Sequence, residues 1–166
     1  MDFLEVFVKE FDREMGATRR MLERVPEEQW GWRPHERSMM LGRLASHVSD
    51  LPNRAVQVVE LETLVRQPGF APYQAATKTE MLEKFESSAA RAQELIPGLT
   101  EEQLKAEWSI RLGERVMMAM PRGMALRTIV MDHLIHHRGQ LSVYLRLLDV
   151  PVPGVYGPSA DDQPLG

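Results

Sequence analysis

The chain contains no cysteine among its 166 residues. That excludes disulfides, a thiolate zinc site and a cysteine nucleophile, so any thiol chemistry needs a thiol supplied by a small molecule. No uncharged apolar run approaches the roughly 20 residues that span a bilayer, which argues against a membrane partner. The start, Met1-Asp2-Phe3-Leu4-Glu5, lacks the basic-then-apolar order of a signal peptide, so a soluble, cytoplasmic protein is expected. There is no basic excess either: Lys plus Arg number 20 against 24 Asp plus Glu, a net charge of −4, and the basic residues are scattered. Nucleic acid is therefore not an expected partner. No internal repeat or low-complexity tract is visible.

What is present suits one globular domain over residues 1–166, with 43% hydrophobic and 27% charged residues. Leu4, Phe7, Phe11, Met15, Thr18, Leu22 and Val25 recur at steps of three and four, predicting a first helix over about residues 2–25. Pro26 to Arg37 reads as a structured connection with one helical turn near Glu27 to Trp30, its tryptophans covering the end of the core. Ser38 is a candidate N-cap for a second helix, whose stripe runs through Met40, Leu44, His47, Leu51, Ala55, Val58, Leu61 and Val65. Pro52 predicts a kink near Val48 to Pro52. Gln67 to Ala76 is a loop. Thr77 and Glu80 stand at capping-box spacing before a third helix marked by Leu82, Phe85, Ala89, Ala92 and Ile96, which ends at Pro97-Gly98. Thr100 to Gln103 can start a short helical turn. Period-two alternation over Glu107 to Met120 predicts a small β-hairpin, its methionines filling gaps in the core. A fourth helix begins near Pro121, with the stripe Leu126, Val130, His133, His137, Leu141, Tyr144 and Leu148. Arg127, Asp132, Arg138 and Arg146 read as a solvated face or local ion pairs. The Pro- and Gly-rich end, from Pro151 to Pro158, reads as a tail without a further helix. Together these predict an all-α fold: a four-helix bundle with a small hairpin between helices 3 and 4.

Three of the five histidines fall within residues 133–137. His133 and His137, four apart on one helix, project only about 40° apart and about 6 Å along the axis, so both imidazoles can reach one metal ion. Two ligands rarely complete a site, and helix histidines also occur partly solvated and partly packed. His47 is the best third candidate, because it alone among the other histidines lies on a buried stripe; taken alone, a hydrogen-bonded core histidine is the commoner case. His35 is expected to be exposed, and a His133/His136 pair is the weaker alternative. Three neutral imidazoles would leave a coordination position open for water or substrate, the pattern of a catalytic metal.

Four segments carry a family resemblance. They are Trp32-Arg33-Pro34 ahead of Ser38-Met39-Met40-Leu41-Gly42; Leu44-Ala45-Ser46-His47; Asp132-His133-Leu134-Ile135-His136-His137-Arg138-Gly139-Gln140-Leu141; and Tyr144-Leu145-Arg146-Leu147-Leu148 through Val152-Pro153 to Tyr156-Gly157-Pro158-Ser159-Ala160-Asp161. The chain resembles the DinB-like, YfiT-type metalloproteins along nearly its whole length. The resemblance implies a four-helix bundle with a long crossover, a homodimer, and a divalent metal, most often zinc or nickel, on three histidines. By position these are His47, His133 and His137, with His136 at a non-ligand position. It also implies a small-molecule substrate and, as in thiol-dependent transferases and isomerases, a low-molecular-weight thiol as cosubstrate. The alternative of another class is a non-catalytic, metal-binding stress-response protein acting through its dimer surface. No general base stands out; Asp50, one turn beyond His47, and Gln140, one turn beyond His137, read either as groups that support the site or as surface groups.

Overall fold

The computed structural model describes residues 2–162; Met1 and residues 163–166, part of the expected 1–166 domain, lie outside the described residues. Helix α1 (Phe3–Leu22) buries Phe7, Phe11, Met15 and Leu22, the stripe expected from its spacing. Fully burying a side chain of this size is worth about 1.5–3 kcal/mol, so this face anchors the helix. The chain then makes one 3-10 turn (Glu27–Gln29) and enters α2 (Leu41–Glu60). The cap of α2 is Met40 rather than Ser38. The helix runs on through Pro52, which has no N–H to offer the carbonyl of Val48.

The periodicity of α2 overran its end. Leu61 and Val65, read as the last positions of the helical stripe, leave the helix: Leu61 is the C-cap, and Val65 belongs to strand β1 (Thr63–Arg66). Helix α3 (Lys78–Leu95) follows. Thr77 caps it by accepting from the Glu80 N–H, while the Glu80 carboxylate turns to the N–H of Ala76 instead of closing the box. A 3-10 turn (Ile96–Gly98) leads to the short α4 (Glu101–Lys105), where Thr100 and Gln103 form a complete capping box. Strands β2 (Glu107–Leu112) and β3 (Arg115–Pro121) form the expected hairpin, turned by Gly113 at φ 55°. β1 adds to it in parallel, giving the order β1-β2-β3.

The all-α expectation is thus corrected to a mostly helical fold with a three-stranded sheet. β3 is an edge strand; Met117 and Met118 are exposed there and do not fill the core, whereas Met120 packs against it as expected. The final helical stretch also differs from a plain α-helix. It comprises α5 (Arg122–Ala125), a π-helical segment (Leu126–Asp132) and α6 (His133–Leu147). α2 packs against α1, α3, α6 and the π segment, so the core lies around α2. Trp30 and Trp32 pack on its end as expected. None of the described helices is long and apolar enough to cross a membrane.

The start of α2 is set by close packing. A Cβ on Gly42 would stand 2.3 Å from Trp30 Nε1, and that nitrogen is held by donating to the Ala75 carbonyl at 3.3 Å. The ring cannot step aside without losing this bond. Gly42→Ala is therefore expected to destabilise the fold by a net of about 1–2 kcal/mol, because overpacking outweighs the gain in helix propensity. A urea midpoint that falls at unchanged m-value checks this; an unchanged or raised midpoint would show that Trp30 yields freely.

Candidate metal centre

His47 projects from the second turn of α2, and His133 and His137 project from the first two turns of α6. The three ring centroids are 4.9 Å (His47–His133), 4.5 Å (His47–His137) and 4.7 Å (His133–His137) apart. One nitrogen from each lies within 4.8 Å of the others, and all three residues are half-buried. The fold thus brings together the three histidines read from the sequence. His35 and His136 are exposed; the His136 ring sits beside His137 at 4.8 Å but outside the cluster.

The donor set fits a metal ion. His47 Nε2 and His133 Nε2 are 3.1 Å apart. Nitrogens at 2.0–2.1 Å from a shared tetrahedral ion would be about 3.3 Å apart. His137 Nδ1 donates to Gln140 Oε1 at 2.7 Å, since an amide oxygen can only accept; this leaves the lone pair on Nε2. Gln140 therefore fixes the tautomer from one helical turn away, one of the two roles open to it from the sequence. The Ile129 backbone, four residues before His133, works against burial by favouring the protonated ring. Ile129 lies in the π segment, so the departure from α geometry ends at the first histidine of the cluster. Such π segments often mark functional sites.

All three rings are biased toward the neutral, lone-pair-bearing form. Burial pushes His47 down to about 3, helped by the neighbouring His137 and His133 rings and by Arg43 and Arg54. Burial likewise lowers His133 and His137. Neutral imidazole is the ligand form, so no proton must be displaced near pH 7. The three residues could hold a metal ion.

A cleft of about 260 Å³ opens in front of His47 and His133. Arg43, Asp50 and Arg54 line it from α2, Arg66 from β1, and Tyr73 from the loop before α3. The loop is pinned at three points near His47. Ser46 Oγ accepts from the Ala75 N–H at 3.0 Å, Arg43 Nη1 donates to the Tyr73 carbonyl at 3.3 Å, and Trp30 reaches Ala75. Asp50 Oδ1 is 3.4 Å from Lys84 Nζ and accepts from Asn53 at 3.3 Å. Burial and the nearby Glu80 carboxylate push the Tyr73 hydroxyl up to about 12, so it is a donor rather than a base at neutral pH.

The arginines of this cleft were missed from sequence. Arg43, His47, Asp50 and Arg54 recur at steps of four, three and four, and so share one face of α2. That spacing was a usable signal. Arg66 carried none, because it enters only through the pairing of β1 with a strand more than forty residues away.

The chain matches the DinB family over residues 1–164. It is 27% identical over 164 residues to the uncharacterized protein YrdA of Bacillus subtilis, a span that covers 96% of this chain and 91% of that protein. A solved DinB-like protein from Bacillus cereus superposes with a TM-score of 0.70 at 23% identity, covering 92% of this chain and 97% of that one. The DinB-like protein YjoA of Bacillus subtilis gives a TM-score of 0.63 at 22% identity, covering 96% and 99%. At these identities the two structures speak to the fold.

Proposed function

The chain belongs to the DinB family, and from that premise we propose that His47, His133 and His137 hold one divalent metal ion, zinc or nickel, in an enzyme that transfers or isomerises a small substrate with the help of an external low-molecular-weight thiol. The observation that carries this reading is the convergence of three neutral imidazole nitrogens beside an open cleft. A divalent ion in such a site acidifies a thiol or water, and so supplies a nucleophile near neutral pH. The absence of cysteine agrees with a thiol that arrives from outside.

The chain's own residues have simpler tasks. Gln140 keeps His137 Nδ1 protonated and its Nε2 free. The loop held by Ser46, Arg43 and Trp30 walls the cleft, where the Tyr73 hydroxyl donates to Glu80.

Elemental analysis of protein purified without added metal tests the reading. About one zinc or nickel per chain is expected, together with conjugation of a small thiol to an electrophile that stops on chelation and returns on reloading. No bound metal, even after reconstitution, would overturn the metal site. Stoichiometric metal without thiol turnover would overturn the enzyme and favour the non-catalytic reading. That alternative has one observation behind it: Phe3 and Met124, both more than two-fifths exposed, share an apolar hollow with Leu104 and Pro121 that a second copy could cover.

A further inference from the structure

The cleft before the histidines is strongly positive in a chain whose net charge is −4. Its lining carries three arginines, Arg43, Arg54 and Arg66, against one carboxylate, Asp50. Asp50 is already engaged by Lys84 and Asn53. Among the described residues, none of the three arginines forms an ion pair with a carboxylate, although the chain pairs Arg91, Arg127, Arg138 and Arg146 with acidic partners. Arg43 is occupied by the Tyr73 carbonyl. Arg54 and Arg66 keep their guanidinium forks uncommitted.

Arg54 and Arg66 also stand on a second hollow of about 490 Å³ that shares Asp50, Phe70 and Tyr73 with the first. The two hollows therefore adjoin, with Arg54 and Arg66 on the wall of both and the histidines at the far end of the first. The Arg66 guanidinium carbon lies over the Phe70 ring, 4.7 Å from its centre. Burial and the nearby Arg66 charge lower the Arg54 pKa, an effect the Asp50 carboxylate offsets only in part. Bringing two guanidiniums together with one shared carboxylate nearby is unfavourable, and an anion between them reduces that cost. A planar fork matches a carboxylate or phosphate through two parallel hydrogen bonds.

We propose that these adjoining hollows bind a small organic oxyanion, a carboxylate or a phosphate. Its charged group sits on Arg54 and Arg66, its apolar or aromatic portion lies against Phe70 and Tyr73, and its reacting end faces His47 and His133. This names the substrate class of the metal-dependent reading above and rests on it for the orientation of the reacting end. The whole protein is net acidic, so anion selection is local, and binding should weaken as salt screens the arginines.

Calorimetric titration with benzoate, phenylphosphonate and the neutral benzamide tests this on the metal-loaded and metal-free protein. Both anions are expected to bind at least about tenfold more tightly than benzamide. The tighter of the two identifies the oxyanion as carboxylate or phosphoryl. Arg54→Met and Arg66→Met are each expected to weaken anion binding about tenfold or more while leaving benzamide unchanged. Arg54→Lys, which keeps the charge but not the fork, should recover only part of the loss. Because Arg54 is half-buried, thermal melts accompany each variant, and Arg66→Met on the short β1 strand is an independent check. Anions binding no better than benzamide, or binding Arg54→Met and Arg66→Met as well as wild type, would overturn the proposal. Metal content measured on the same samples separates the two readings. Metal without anion selectivity defeats only the anion site; anion selectivity without metal defeats only the metal centre.

Discussion

His47→Ala, His133→Ala and His137→Ala are each expected to lose stoichiometric metal, with affinity falling by well over about 100-fold. The bound comes from the graded nature of such sites, in which loss of a group that merely supports a ligand already costs about 10–100-fold in affinity. Gln140→Ala falls in that lesser class. It frees His137 Nδ1 from its 2.7 Å partner, so the ring can take the wrong tautomer or swing, but all three nitrogens remain. Its affinity loss should therefore lie within about 10–100-fold. His136→Ala is the control: the ring is exposed and outside the cluster, and the metal should stay. Competition with a chromogenic chelator ranks the series, and melting with and without metal gives a second readout, since a ligand at 100 times its Kd stabilises by about 2.7 kcal/mol. The expected order is His136→Ala like wild type, then Gln140→Ala, then the three histidine variants together. His47→Ala retaining full metal would sink the site, because His47 is the only contribution from α2 and without it the remaining pair is two ligands on one helix.

That site was legible because its signal is local in two places. The spacing of His133 and His137 by four residues survives any change in the rest of the fold, and His47 shares the stripe of Leu44 and Leu51, two buried residues of α2. α1, α3 and the hairpin were legible for the same reason: each rests on periodicity over many residues or on paired alternation around Gly113. What escaped depends on distant partners. β1 is four residues long and borders a helix whose apolar rhythm continues into it, so Val65 looked like another turn of α2. Its strand identity comes from pairing with β2. The π segment escaped because a stripe drawn at period 3.6 passes smoothly through Leu126 and Val130; the widened turn has no composition of its own. The anion site escaped because its charges come from α2 and β1, which only the tertiary fold sets side by side.

Arg138 shows the same limit most sharply, and carries the largest expected effect on stability. Read as part of a solvated face or a local ion pair, it is 2% exposed and pairs instead with the distant Glu14, which is 0% exposed. Its two terminal nitrogens also reach the Glu14 carbonyl at 3.2 Å, Thr18 Oγ1 at 3.1 Å and the Tyr156 hydroxyl at 2.9 Å, and Tyr156 donates on to Glu14 Oε2 at 3.0 Å. The network ties α6 and the tail to α1. Removing only one charge strands the other in the interior: of the carboxylate's partners, only Tyr156 and the exposed Arg13 would remain in Arg138→Met. Arg138→Met and Glu14→Leu are therefore each expected to destabilise by about 3–5 kcal/mol. The double variant Glu14→Leu/Arg138→Met removes both charges together and should recover most of that loss, because an apolar pair of similar volume avoids the desolvation of both ions. Urea unfolding of the four proteins completes the cycle; a single variant costing under about 1 kcal/mol would mean the pair is not holding α6 to α1. Arg138 adjoins His137, so the cycle also reports on the site. Leu134 and Leu141 pack the same helix into the core without any charge. The double variant should therefore keep metal affinity within about tenfold of wild type, a loss below that attached to Gln140 at its midpoint. A stable double variant that binds metal far more weakly would instead make the buried ion pair the device that sets the rotation of α6, and with it the aim of His133 and His137.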